Sequence, residues 1–370
     1  MDARERATYA RHAVHAYRAL RRQFRKRDGS YRYDEGPRWL RRGAQLWPFG
    51  RALAATLDVA GIPSELVEDD EAETAIPEHL EILERYWDPA GPRPAYCADV
   101  TGASRRGDRY YDDNAWIGLA LIQLERMRRG SGRIDRAAQL FEFASHGWAD
   151  AAGGGVYWVE QGRGTGVRNQ DRNTVSNAPN AELGFHLTEL GQPPASAEHG
   201  PQDMYRWVLS TLDDSHTGAS PGTGLFWDKV RGDGSIDRAT WSYNQGTMIG
   251  ANVLLARLDP DRRERYLNLA GAITHKTLRE GNGAYRSQPP PFTAIFFRNL
   301  LLLHGASQDE ELRSTIIDAV RAYADAALAN ARDRRYLFHM RGRPALLDQS
   351  AIVQVLALLA WNPEAYGLLA

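Results

Sequence analysis

Residues 117–124 read IGLALIQL and residues 295–303 read IFFRNLLLL. Both are apolar on nearly every helical face, so neither keeps a polar stripe to meet water, and a helix of that kind belongs inside. Residues 261–278, DRRERYLNLAGAITHKTL, keep a polar side and belong on an outer layer. Working outward, helical periodicity begins at 4–26, where Ala10, Ala13, Val14, Tyr17, Leu20 and Phe24 share one stripe. It recurs near 43–60, 72–87, 112–128, 133–147, 173–190, 199–213, 239–257, 261–278, 292–304, 308–330 and 346–361. Twelve helices are predicted, and several even-numbered ones are less polar than the odd ones.

The connections alternate as well. Loops after even helices are mostly short. Loops after odd helices are usually long and aromatic: GSYRY (29–33), RPAYCADV (93–100), GGGVYW (153–158), GLFWDK (224–229), GAYRS (283–287) and RRYLFHM (334–340). The markers Tyr33, Tyr96, Tyr157, Phe226, Tyr285 and Tyr336 are spaced by 63, 61, 69, 59 and 51 residues, a degenerate sixfold repeat of a helical hairpin. Hairpins stack into an open solenoid or close into a toroid. Apolar even helices and amphipathic odd helices predict two concentric rings, an all-α (α/α)6 barrel. No linker divides residues 1–370, so one domain is expected. The aromatic loops should gather at the mouth where the inner helices begin.

Charge and composition exclude several function classes. Basic and acidic residues number 46 and 47, for a net charge of −1, which argues against a nucleic-acid partner. A single cysteine, Cys97, excludes a disulfide framework and a cysteine zinc cluster. No run reaches about 18 apolar residues, so no membrane span is expected. Residues 1–24 are charged throughout with no apolar h-region, so a cytoplasmic location is expected, although a trimmed secreted chain would read the same. The 10 Trp and 16 Tyr residues concentrate partly in Gly-rich loops, and flat amphipathic rings there suit sugar rings. Three motifs lead elsewhere and are set aside. Gly162–Gly166 (GRGTG) follows no βαβ strand, as a phosphate loop would. DKVRGDGSID (228–237) lacks the ligand spacing and terminal Glu of a calcium loop. The ten histidines show no HExxH or paired metal spacing, so neither a metal nor a cofactor is expected.

The sharpest chemical feature is Tyr110-Tyr111-Asp112-Asp113-Asn114-Ala115-Trp116, which ends a long loop and opens an inner helix. One aspartate there would be an ordinary helix cap. Two in a row, flanked by aromatics, form a pair of close carboxyl groups that cannot ionise independently, so one pKa should fall and the other rise. That split supplies a carboxylate nucleophile and a protonated acid, as a retaining glycosidase requires at a separation of about 5–5.5 Å. Asn173-Thr174-Val175-Ser176-Asn177 and Trp241-Ser242-Tyr243-Asn244-Gln245-Gly246 open two further inner helices with amides and aromatics. Trp47, Phe292 and Phe296 are placed to line the same mouth, although core packing also accounts for them. The candidate substrate-binding residues are Trp47, Tyr96, Tyr111, Trp116, Asn177, Trp241, Tyr243, Asn244 and Phe292.

The YYDDNAW segment, the GGGVYW loop followed by Asn177, and the WSYNQG motif together resemble glycoside hydrolase family 76, the α-1,6-mannanases. The resemblance runs from about Trp47 to about Arg298. It implies an (α/α)6 barrel, a retaining mechanism, endo cleavage of an α-1,6-mannoside, Asp112 as nucleophile and Asp113 as general acid/base. The WPFGRAL stretch (47–53) and QPPPF (288–292) match more loosely. The alternatives are another (α/α)6 enzyme (an exo-mannosidase, a transglycosylase, an inverting glycosidase or a sugar epimerase) and a non-catalytic glycan-binding protein.

Overall fold

The computed structural model describes residues 1–34, 43–68, 70–90, 93–100, 107–194, 197–216, 224–279 and 283–370. Its α-helices are α1 (Ala3–Phe24), α2 (Leu46–Ala60), α3 (Glu71–Leu83), α4 (Tyr111–Met127), α5 (Ile134–His146) and α6 (Thr174–Glu189). They continue with α7 (Pro201–Thr211), α8 (Ser242–Leu258), α9 (Arg263–Arg279), α10 (Pro290–Ala306), α11 (Glu310–Asn330) and α12 (Leu346–Ala360). The twelve predicted helices are all present. The even helices pack in a closed ring, α2 on α4, α4 on α6, α6 on α8, α8 on α10, α10 on α12 and α12 back on α2. The odd helices lie outside, α1 against α12, α5 against α4 and α6, and α9 against α8 and α10.

Burial explains the two rings. Every residue of α12 is buried, and nearly every residue of α10. In α9 only Ala270, Gly271, Ile273, Thr274 and Thr277 are buried, one stripe on an otherwise wet helix. Polar residues inside the inner ring find partners across it. Asp58 of α2 holds Arg298 of α10 through both carboxylate oxygens, and Arg298 also donates to Gln123 Oε1 of α4 at 3.1 Å.

Five of the six long loops are registered by a device repeated around the barrel. The fourth residue of α4, Asn114, donates to Tyr96 O (3.0 Å) and accepts from Tyr96 N–H (2.8 Å). The fourth residue of α6, Asn177, accepts from Val156 N–H at 2.8 Å, and the fourth of α8, Gln245, grips Phe226 N–H and O at 2.9 and 2.8 Å. In α12 the fourth residue, Gln349, accepts from Phe338 N–H at 3.0 Å. In α10 it is Thr293, whose hydroxyl donates to Tyr285 O at 2.9 Å. A buried amide that pairs with a loop's backbone fixes where that loop crosses the helix end.

Short strands complete the mouth. β1 (Trp87–Asp88) pairs antiparallel with β2 (Ala95–Tyr96). β3 (Arg172–Asn173), β4 (Lys229–Val230) and β5 (Ile236–Asp237) form a three-stranded antiparallel sheet. Among the described residues no helix is long and apolar enough to cross a membrane.

Candidate active site

Asp112 and Asp113 are the second and third residues of α4, and both keep some exposed surface at the mouth. Asp112 Oδ1 accepts the N–H of Asp113 at 2.9 Å, and its Oδ2 accepts the indole N–H of Trp158 at 3.2 Å. The helix-cap reading and the chemical reading thus meet in one side chain. The Asp113 carboxyl accepts no hydrogen bond among the described residues. Trp158 is held there by its own backbone, because its N–H donates to Asp171 O and its carbonyl accepts the N–H of Tyr111. Its ring lies 4.9 Å from that of Tyr110.

The expected split, one pKa down and the other up, does not occur. Burial raises both carboxyl groups, outweighing the helix N-terminus. Asp112 is pushed up to about 7 by burial, with its two N–H donors pulling back and the charge of Asp228 adding to the rise. Asp113 is pushed well above the carboxylate range by burial and then by the charge of Asp112. The inequality between the two therefore survives, with Asp112 the readier to ionise.

Asp228 belongs to this site, and the sequence reading passed over it as part of a calcium-like loop. It precedes β4, it is 8% exposed, and it accepts a bond from Asn244 Nδ2 at 3.3 Å. Burial raises its pKa too, with Asn244 opposing. The phenol of Tyr243 is raised well above its ordinary value by burial and by the charges of Asp228 and Asp112. Trp158, in the GGGVYW loop, also belongs to the site although its sequence context does not single it out. A register that only the structure shows links the two: Trp158 and Asp228 each stand two residues after a backbone position gripped by an inner-helix amide, Val156 and Phe226.

The candidate binding residues divide. Trp47, Trp241, Tyr243 and Phe292 come together from the starts of α2, α8 and α10. The Phe292 ring centroid lies 4.1 Å from Tyr243 and 6.1 Å from Trp47, both stacked, and 5.5 Å from Trp241, edge-on. Asn244 joins them through Asp228. Four other candidates are placed elsewhere. Tyr96 is fully buried, its ring against Trp87 and its hydroxyl taking a 2.9 Å bond from Arg136 of α5. Tyr111 is buried against Phe143 of α5 at 4.5 Å, because the first residue of α4 faces the outer ring. Asn177 spends its amide on Val156 and on Asn173 O. Trp116 lies inside the barrel near Arg51 and lines a cavity of about 20 Å³ with Gln123, Glu182 and Arg298. Phe296, weighed for the mouth, is fully buried against Tyr285 and Phe297.

The Gly-rich loop also has a local role. Asp108 accepts the Thr165 N–H at 2.7 Å and its hydroxyl at 2.6 Å, so the backbone amide is already engaged by a carboxylate of the chain. Gly164, at φ +47°, has no room for a Cβ, which would stand 1.8 Å from Asp108 Oδ1.

The geometry has relatives. Among solved structures, an α-mannanase of Bacteroides thetaiotaomicron superposes with a TM-score of 0.80 at 18% identity, covering 95% of each chain. An inactive variant of an α-1,6-mannanase from a Salegentibacter species, bound to α-1,6-mannotriose, superposes at 0.74 with 21% identity, covering 95% of this chain and 99% of that one. A D-mannose isomerase superposes more loosely, at 0.59 with 14% identity, covering 94% and 97%. No curated protein matches the chain in sequence. The profile of glycosyl hydrolase family 76 matches residues 4–340. This chain, a glycoside hydrolase on an (α/α)6 barrel, belongs to glycosyl hydrolase family 76.

Proposed function

We propose that the chain hydrolyses α-1,6-mannosidic linkages in mannan or manno-oligosaccharides with retention of configuration, Asp112 acting as nucleophile and Asp113 as general acid/base. The observation that carries the assignment is the unequal bonding of the pair. Asp112 accepts two N–H donors, which favour its carboxylate form. Asp113 accepts none and stands beside that charge, which favours its protonated form. Asp113 then gives its proton to the glycosidic oxygen as Asp112 bonds to the anomeric carbon. With the leaving sugar gone, Asp113 takes a proton from water, and that water displaces Asp112 and restores the original anomer. The rings of Trp47, Trp241, Tyr243 and Phe292 offer apolar faces to the C–H faces of the sugars.

The linkage is supported by the family and by the solved relatives. One of them holds α-1,6-mannotriose, in a variant inactive through replacement of two consecutive aspartates. The isomerase shares the barrel, but among the described residues no histidine hydrogen-bonds to Asp112, Asp113 or Asp228, which favours the two-carboxylate reading over sugar isomerisation or epimerisation. Product analysis on linear α-1,6-mannan tests the proposal. The wild type is expected to release short manno-oligosaccharides. Asp112→Asn and Asp113→Asn should each lose at least ~10³ in kcat while staying folded by circular dichroism. A folded wild type that releases no sugar from the polymer or from α-1,6-mannotetraose would remove the proposal, and near-normal turnover by either variant would remove that residue from it.

A further inference from the structure

Asp228 has no structural reason to be an aspartate. Its backbone is fixed without its side chain: its N–H donates to Asp237 O, and its carbonyl accepts the N–H of Thr174 at the start of α6. Its carboxylate caps no backbone N–H among the described residues. The neighbouring cation, Lys229, is paired with Asp171 at 2.9 Å and does not bond Asp228. The carboxylate receives one bond only, from Asn244 Nδ2 to Oδ1 at 3.3 Å, long for a charged acceptor. Oδ2 takes no bond among the described residues, and it is not among the sealed-off polar atoms, so it keeps some accessible surface. Asn244 Oδ1, by contrast, is sealed off without a partner, so the amide is committed to presenting Asp228.

A nearly buried carboxylate that receives one long bond is under-satisfied, and such a group costs stability unless a ligand completes it. The missing partner must be a donor. Asp228 lies close enough to Asp112 and to the Tyr243 phenol for its charge to raise both. The donor nearest to hand in a glycosidase is a sugar hydroxyl. We propose that Asp228 is a sugar-positioning carboxylate, whose Oδ2 accepts a hydrogen bond from a ring hydroxyl of the unit that Asp112 attacks. Its backbone bonds to Asp237 and from Thr174 fix its position beside β4, and Asn244 Nδ2 orients the carboxyl, as positioning requires. This rests on the glycosidase reading above and names one determinant of its substrate recognition.

The test uses purified enzyme and α-1,6-linked mannobiosides in which the hydroxyls of the attacked ring are removed one at a time. In the wild type, the analogue lacking the recognised hydroxyl should lose about ten- to a hundredfold in kcat/KM. Asp228→Ala should lose activity on the parent compound and discriminate against that analogue by less than about twofold. Asp228→Asn keeps the shape and removes the charge, so the acid limb of its kcat/KM profile should move to lower pH, because the carboxylate that raises Asp112 is gone. Both variants are checked for folding by thermal melt, and Asp228→Asn carries the test if the alanine variant does not fold. Unchanged discrimination across the whole series, or an unmoved acid limb in Asp228→Asn, would overturn the proposal while leaving the Asp112–Asp113 mechanism standing. A wild type inactive both on the parent compound and on α-1,6-mannotetraose would strike the glycosidase reading itself.

Discussion

Asp112 and Asp113 differ by one position and by their donors: Asp112 accepts the Asp113 N–H and the Trp158 indole, and Asp113 accepts none among the described residues. As the proposed nucleophile, Asp112 must be ionised, so kcat/KM is expected to fall as pH drops through about 7, the value to which burial raises it. It should fall again at higher pH, where Asp113 gives up its proton. Trp158 opposes the first of these shifts, since its indole N–H stabilises the charged form. Trp158→Phe should therefore move the acid limb to higher pH and leave the rate on the alkaline side of it much less affected. A pH profile of kcat/KM on α-1,6-mannotetraose checks this, and an unmoved or lowered limb contradicts the role given to Trp158. The adjacency of the two acids was legible in the sequence. Their direction of titration was not, because desolvation depends on what the fold packs around them, and that includes a third carboxylate 115 positions further on.

At the scale of elements, the even helices were legible because a helix without a polar face has nowhere else to go. Their polar residues were misread where the same amide types serve two ends. Asn177 and Asn244 both open inner helices, yet Asn177 grips the loop at Val156 and Asn244 grips Asp228. The distinction is one of register, since Asn177 stands fourth in α6 and meets the loop backbone, whereas Asn244 stands third in α8 and meets the Asp228 carboxylate. Tyr96 and Tyr111 likewise turn away from the mouth, Tyr96 onto Trp87 and Arg136 and Tyr111 onto Phe143 of the outer ring. Replacement of Asn177 by Ala should leave the Val156 N–H unpaired in the interior, at a cost of about 2–4 kcal/mol. For a chain of this length that corresponds to a Tm lower by roughly 3–5 °C. Calorimetry or a dye-based melt measures it. An unchanged Tm together with a raised KM would instead make Asn177 a sugar ligand.

At the scale of the whole molecule, closure of the ring brings distant segments to one mouth. The second and third turns of the repeat supply Asp112, Asp113 and Trp158, the fourth supplies Asp228 and Tyr243, and the first and fifth add Trp47 and Phe292. Closure itself was legible, from six hairpins of which several inner members are less polar than the outer ones and two are apolar on nearly every face. The partnership of Asp228 with Asp112 was not, because it arises only when β4 is laid beside β3 at the start of α6. The central claim is that the assembled mouth delivers Asp112 to the anomeric carbon while Asp113 holds the proton, and stereochemistry tests it most directly. Proton NMR of the anomeric signals is followed during the first minutes of turnover of α-1,6-mannotetraose, before mutarotation mixes the anomers. The α-anomer of the released reducing end should appear first, as double displacement through a glycosyl-Asp112 ester requires. A β-anomer appearing first would mean that water attacks directly, and would contradict the assignment of Asp112 as nucleophile.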